Sequence, residues 1–147
     1  MMLWIDGDAC PNSIKQILFR AAMTRKISLV IVANHLATTP PSIYIKKVLV
    51  EPGFDAADNY IIQHVTANDL VITSDIILAD HCIGKSAFVL TPRGTSYTTQ
   101  NIKQALALRN LNESLRSGGL LQGGPSALTA KEIRLFSNQL DRLITKH

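Results

Sequence analysis

Leu3-Trp4-Ile5-Asp6-Gly7-Asp8-Ala9-Cys10-Pro11 joins a short apolar run, two carboxylates and a helix start with no spacer between them. A run such as Leu3-Trp4-Ile5 suits a strand buried on both faces of a parallel sheet. Pro11 suits the first position of a helix, and Ile14, Ile17, Leu18, Ala21 and Ala22 then recur at helical spacing, which predicts a helix from about Pro11 to Arg25. Ile27 to Ala33 follows as a second fully buried strand, with the turn at Asp8 or Ala9-Cys10 reversing the chain. Strand, helix and strand make a right-handed parallel unit with Asp6 at its mouth.

The same pattern continues downstream. Asn34 to Ser42, with Thr38-Thr39-Pro40-Pro41, reads as a loop, and Ile43 to Val50 contains another short strand. After Gly53 a helix from about Asp55 to Ala67 carries Ala57, Ile61 and Val65 as its core stripe. Asn68-Asp69 is a turn into the strand Leu70 to Thr73, Asp75 opens a short helix through Ile83, and Ala87 to Leu90 is the next strand. Thr91-Pro92-Arg93-Gly94 is a loop and Asn101 to Leu115 a helix. The glycine-rich stretch 117–125 reads as a linker or lid. Thr129-Ala130-Lys131-Glu132 fits a capping box for a last helix at about 129–146, with Ile133, Phe136, Leu140, Leu143 and Ile144 as its apolar face. The expected fold is a single α/β domain spanning residues 1–147, with a mainly parallel central sheet.

In open α/β sheets ligands bind outside the carboxyl ends of the strands, where Asp6, Asp8 and Asp75 fall. Asp58 lies on the central helix, and Asp55, three residues earlier on the same side, is a secondary candidate. Carboxylates brought together repel and raise one another's pKa unless a cation neutralises them. Asp6, Asp8, Asp58 and Asp75 are therefore expected to ligate Mg²⁺ or Mn²⁺, hard ions that take oxygen ligands. Helix capping is the competing explanation for Asp8 and Asp75 taken singly. Asn34, Thr73, Ser74 and Arg93 lie near the same edge as candidate substrate contacts, Arg93 for phosphate, and Tyr97 offers a stacking face. For Thr73 and Ser74 a strand-end hydrogen bond, and for Arg93 a solvated loop position, are the alternatives. Cys10 reads as a small buried residue rather than a nucleophile.

At 147 residues and 46% apolar composition the chain can fill one respectable core. The net charge of +4 and the pI near 9.3 place positive charge away from the acidic edge, which suits attraction of a polyanion. The lysines and arginines are scattered, however, so charge alone favours nucleic acid only slightly. Two cysteines form neither a disulfide framework nor a zinc set, and the four histidines share no ligand spacing. Neither a signal-peptide core nor a membrane-length apolar run is visible, so a cytoplasmic protein with no membrane partner is expected.

The words Asp6-Gly-Asp-Ala-Cys-Pro11, Asp55-Ala-Ala-Asp58, Thr73-Ser-Asp-Ile-Ile-Leu-Ala79, Pro92-Arg-Gly94 and Gly123-Gly-Pro125, in this order, resemble the uncharacterised bacterial YaiI/YqxD family over essentially the whole chain. Gly7 stands where that family often has alanine, and Ile77 where it often has proline. The family is similar in pattern to PIN-like nucleases, which implies a three-layer PIN-like domain, catalytic roles for Asp6, Asp58 and Asp75, and RNA as the preferred substrate. The leading expectation is a metal-dependent nuclease-like hydrolase of phosphodiesters. A haloacid-dehalogenase-type phosphatase is the enzymatic alternative, with Asp6 as nucleophile and Asp8 as general acid and base. Against it, its later acidic pair should follow the threonine, whereas Asp55 and Asp58 precede Thr73. A non-catalytic RNA-binding or interaction module is the third reading.

Overall fold

The computed structural model describes residues 1–35, 38–53, 55–117 and 127–145, and builds one six-stranded sheet with helices on both faces. In chain order the elements are β1 (Leu3–Asp6), α1 (Asn12–Arg25), β2 (Leu29–Ala33), β3 (Ile45–Leu49), α2 (Ala56–His64), β4 (Leu70–Ile72), α3 (Ile76–Gly84), β5 (Phe88–Leu90), β6 (Ser96–Tyr97), α4 (Ile102–Ser117) and α5 (Ala130–Thr145). The strand order is β3-β2-β1-β4-β5-β6, parallel throughout except for β6, which runs antiparallel to β5. This is the three-layer α/β arrangement expected, consistent with a PIN-like domain.

Strand periodicity divides the core in two, because successive side chains point to opposite faces. Leu3, Ile5, Leu29, Ile31, Leu70, Ile72 and Leu90 meet Ile14, Leu18 and Phe19 of α1 and Phe136, Leu140 and Ile144 of α5. Trp4, Val30, Val32, Val71 and Val89 meet Ala57 and Ile61 of α2, Leu78, Ala79 and Cys82 of α3 and Ile102 of α4. The chain steps from β1 to β2 in one direction and from β4 to β5 in the other. Right-handed crossovers then require α1 and α3 to lie on opposite faces, as they do.

Several local expectations shift. Pro11 precedes α1, with extended backbone (ψ 149°), instead of entering it. The central helix stops at His64, three residues short of Ala67, since Val65 is extended and Asn68 takes a left-handed turn (φ 70°). The two-residue strand β6 was not anticipated. Asp69 is more than a turn residue. It is buried, and its carboxylate accepts from the Met2 N–H, Trp4 Nε1, the Thr66 N–H and Thr66 Oγ1, all at 3.0 Å. That network ties the start of β1 to the turn before β4.

The capping box forms as expected. The Glu132 N–H donates to Thr129 Oγ1 at 3.1 Å and the Thr129 N–H to Glu132 Oε1 at 3.0 Å. The linker or lid expected at 117–125 lies outside the described residues, apart from Ser117 at the end of α4. Among the described residues no helix is long and apolar enough to cross a membrane.

Candidate functional site

β1 and β4 are adjacent at the sheet centre, and the chain leaves them in opposite directions, which opens a crevice at their carboxyl ends. Asp6 ends β1 in a buried position. Thr73, just past β4, is also buried, and its hydroxyl bridges the two sides: it donates to Asp6 Oδ2 at 3.3 Å and accepts the Asp75 N–H at 3.0 Å. Thr73 thus makes the strand-end hydrogen bond and does not line the cavity in front of it. Its hydroxyl is engaged by the two acidic residues.

Asp75 does two things at once. Its Oδ1 caps α3, accepting from the Ile77 N–H at 2.9 Å and the Leu78 N–H at 3.2 Å. Capping and site formation are therefore not alternatives at this position, because a carboxylate has several lone pairs. Asp55, Asp58 and Asp75 each offer an oxygen within 4.8 Å of the others, a trio able to hold a metal ion. Asp55 enters it through a left-handed backbone (φ 61°) at the cap of α2, with Asp58 in the first helical turn. The sequence pattern favoured Asp6 and Asp8 over Asp55. In the structure Asp6 and Asp8 line the same cavity but stand outside this trio.

Asp8 does not cap α1. It accepts the Asn34 N–H at 3.1 Å and pairs with His35 Nδ1 at 2.8 Å, fastening the β1–α1 turn to the end of β2. Asn34 lines the cavity beside it, as does the exposed Ser74. Gly7 permits the close approach of this turn to β2, since a Cβ there would lie 2.8 Å from Ile31 Cγ1.

Burial pushes the Asp6 carboxyl up to about 6; the Thr73 hydroxyl acts in the opposite sense, and the charges of Asp8 and Asp75 add to the rise. Asp58 is pushed further, to about 7, by burial, by a hydrogen bond shared with the Asp75 carboxyl, and by the charges of Asp6, Asp75 and Asp55. Repulsion among converging carboxylates is thus present, and protons relieve it when no cation does. Cys10 and Cys82 are driven by burial to about 12, which fits small core residues and no nucleophile.

The cavity measures about 780 Å³. Its far wall is a stripe of α4, Ala105, Leu108, Arg109, Asn112 and Glu113, spaced so that one helical face borders the acids. Arg109 is the one basic residue in the described lining. This wall was missed from sequence, although the spacing of those five residues was there to be read. Arg93 lies elsewhere, in an adjoining cavity of about 620 Å³, where its Nη1 donates to both oxygens of Glu132 at 2.8 and 2.9 Å. Tyr97 and Ser74 border both cavities.

Comparison with known proteins agrees with the motif order. The family described as "Uncharacterized BCR, YaiI/YqxD family" matches residues 4–146. A UPF0178 protein of Legionella pneumophila (strain Lens) is 52% identical over 147 residues, covering 100% of this chain and 99% of that one. A UPF0178 protein of Shewanella sp. (strain MR-7) is 51% identical over 98% of this chain and 95% of its own length, and one of Saccharophagus degradans is 51% identical over 99% and 97%. The chain belongs to the YaiI/YqxD family.

Proposed function

We propose that the acidic cavity is a divalent-cation-dependent centre for hydrolysing phosphodiesters of single-stranded nucleic acid, with RNA preferred. The observation that carries this reading is the convergence of Asp55, Asp58 and Asp75 within 4.8 Å at the mouth of the β1–β4 crevice. An all-oxygen donor set in which burial and neighbouring carboxylates raise the pKa of Asp58 fits Mg²⁺ or Mn²⁺. When bound, such an ion polarises a phosphoryl oxygen and offsets charge that develops there.

The chain's own groups supply the rest. Asp58 would give up its proton to act as a ligand, with Asp55 and Asp75 beside it as the other donors. Asp6, held by Thr73 and raised to about 6, is ionised near neutral pH yet basic enough to accept a proton from an attacking water. Asp8 holds the turn behind it through Asn34 and His35. Arg109 faces the carboxylates from α4 and offers a fork of donors to a substrate phosphate. The basic balance of +4 favours approach of a polyanion, and the preference for RNA rests on the resemblance to PIN-like nucleases.

The test compares single-stranded RNA, single-stranded DNA and a chromogenic phosphomonoester with Mn²⁺, using the wild type and Asp75→Asn. Cleavage of RNA that disappears in Asp75→Asn supports the reading. Fast monoester turnover with a phosphoryl group trapped on Asp6 would replace it with the phosphatase, and RNA binding without turnover with the interaction module.

A further inference from the structure

The cavity that holds Arg93 adjoins the acidic one, with Ala9, Ser74 and Tyr97 forming a common wall. The two differ in chemistry. Six carboxylates line the first, Asp6, Asp8, Asp55, Asp58, Asp75 and Glu113, whereas none of the described residues lining the second carries one. Its charged lining residue is Arg93, and the rest are hydroxyl-bearing or apolar, among them Ser13, Thr95 and Leu128. At about 620 Å³ it has the size of a small-molecule site.

Its walls are also firmly built. The turn carrying Arg93 is closed by the Thr91 N–H donating to the Thr95 carbonyl at 2.8 Å and by the Thr95 N–H donating to Thr91 Oγ1 at 3.1 Å. Glu132, itself fixed by the capping box of α5, clamps the guanidinium. A pocket preformed in this way loses little freedom when a ligand enters.

We propose that this second cavity seats the nucleotide adjoining the bond to be cleaved, an inference that rests on the phosphodiesterase reading of the acidic cavity. A polynucleotide cannot lay successive phosphates among carboxylates without repulsion. A strand that passes over the shared wall instead places its reacting phosphate at the acids and its next nucleoside in a cavity none of whose described lining residues is a carboxylate, the nearby Glu132 being paired with Arg93. Tyr97, half-buried at that wall, offers a ring face to a base, and hydroxyls of Ser13, Ser74 and Thr95 suit the sugar and base edges, while Glu132 balances the charge of Arg93.

The experiment is calorimetric titration of uridine 5′-monophosphate into the full chain in the presence of chelator, with inorganic phosphate as a control. It compares the wild type with Ser13→Phe and Thr95→Phe, two exposed positions where a larger ring fills the cavity without entering the core, and with Asp75→Asn. At least tenfold weaker binding in both filled variants, with Asp75→Asn equal to or tighter than wild type, is the result expected. Equal affinity in all four proteins, or phosphate binding as tightly as the nucleotide, overturns the inference. If the filled variants cleave a short RNA with unchanged KM, the nucleotide site is wrong while the hydrolytic reading stands. If the nucleotide binds as expected and the wild type cleaves nothing with Mn²⁺, the reverse holds.

Discussion

Thr73 carries two hydrogen bonds at once, one to Asp6 and one from the backbone of Asp75, and no other described side chain bonds directly to both ends of the acidic crevice. Replacing it by valine keeps the shape and leaves the Asp75 N–H without its acceptor. The expected cost is about 1 kcal/mol in denaturant unfolding, the low end of the penalty for a stranded polar group because the Asp75 N–H is only partly buried. Loss of the hydroxyl that lowers it should also drive the Asp6 carboxyl above about 6, shifting the acidic limb of any pH–rate profile upward. An unchanged melt and an unchanged profile would show that Thr73 does not position the acids. Arg109→Ala should weaken RNA binding and reduce the salt slope of log affinity by about 1, because one phosphate contact fewer releases fewer counterions. A salt series measured with Asp75→Asn, in which turnover should be lost, reads this; an unaltered slope removes Arg109 from the phosphate path. At this scale the gathering of Asp6, Asp8, Asp58 and Asp75 around one cavity was legible because strand ends and helix starts are visible as pattern. Asp55 was underrated because its entry depends on a left-handed backbone that the sequence Gly53-Phe54-Asp55 does not announce.

The central strands show how burial makes an element legible. Leu3-Trp4-Ile5 and Leu70-Val71-Ile72 are apolar on both faces, so they can only be interior strands of a covered sheet, and the register Leu3 to Leu70 follows. β6 is two residues long and polar, so it leaves no such signature. The stripe of α4 bordering the site was hidden for another reason: its helical period was clear, but nothing local says what a half-polar face looks at. Gly94 links the β5–β6 turn to α5. Its φ is 94°, and an added Cβ would stand 2.7 Å from Leu135 Cγ and 2.9 Å from the Phe136 nitrogen. Gly94→Ala should therefore cost about 2 kcal/mol or more, from the unfavourable backbone region together with the push on α5. Urea unfolding monitored by circular dichroism measures it, and a loss below about 0.5 kcal/mol would mean that the turn and α5 separate freely.

For the whole molecule, the acidic cavity makes stability depend on pH in an unusual direction. Asp6 and Asp58 have their folded-state pKa values raised from 3.8 to about 6 and about 7, so without a cation the native state holds protons that the unfolded chain has released. Their contribution is fully present below about pH 4 and is lost as the pH rises through about 6 and then about 7. In chelator the melting temperature should fall by several degrees between pH 5 and pH 8, and Asp58→Asn should flatten that fall. Millimolar Mg²⁺ should restore it, since a ligand that binds only the native state stabilises by mass action. A melting temperature that rises over the same range in chelator would show that the carboxylates do not crowd one another. The most direct measurement is titration of Mn²⁺ at pH 8, with free ion followed by electron paramagnetic resonance, into the wild type and into Asp58→Asn and Asp75→Asn. The wild type should take up the ion saturably, with each variant at least tenfold weaker; uptake equal in all three, or none in the wild type, would contradict the assignment of this cavity as a cation site.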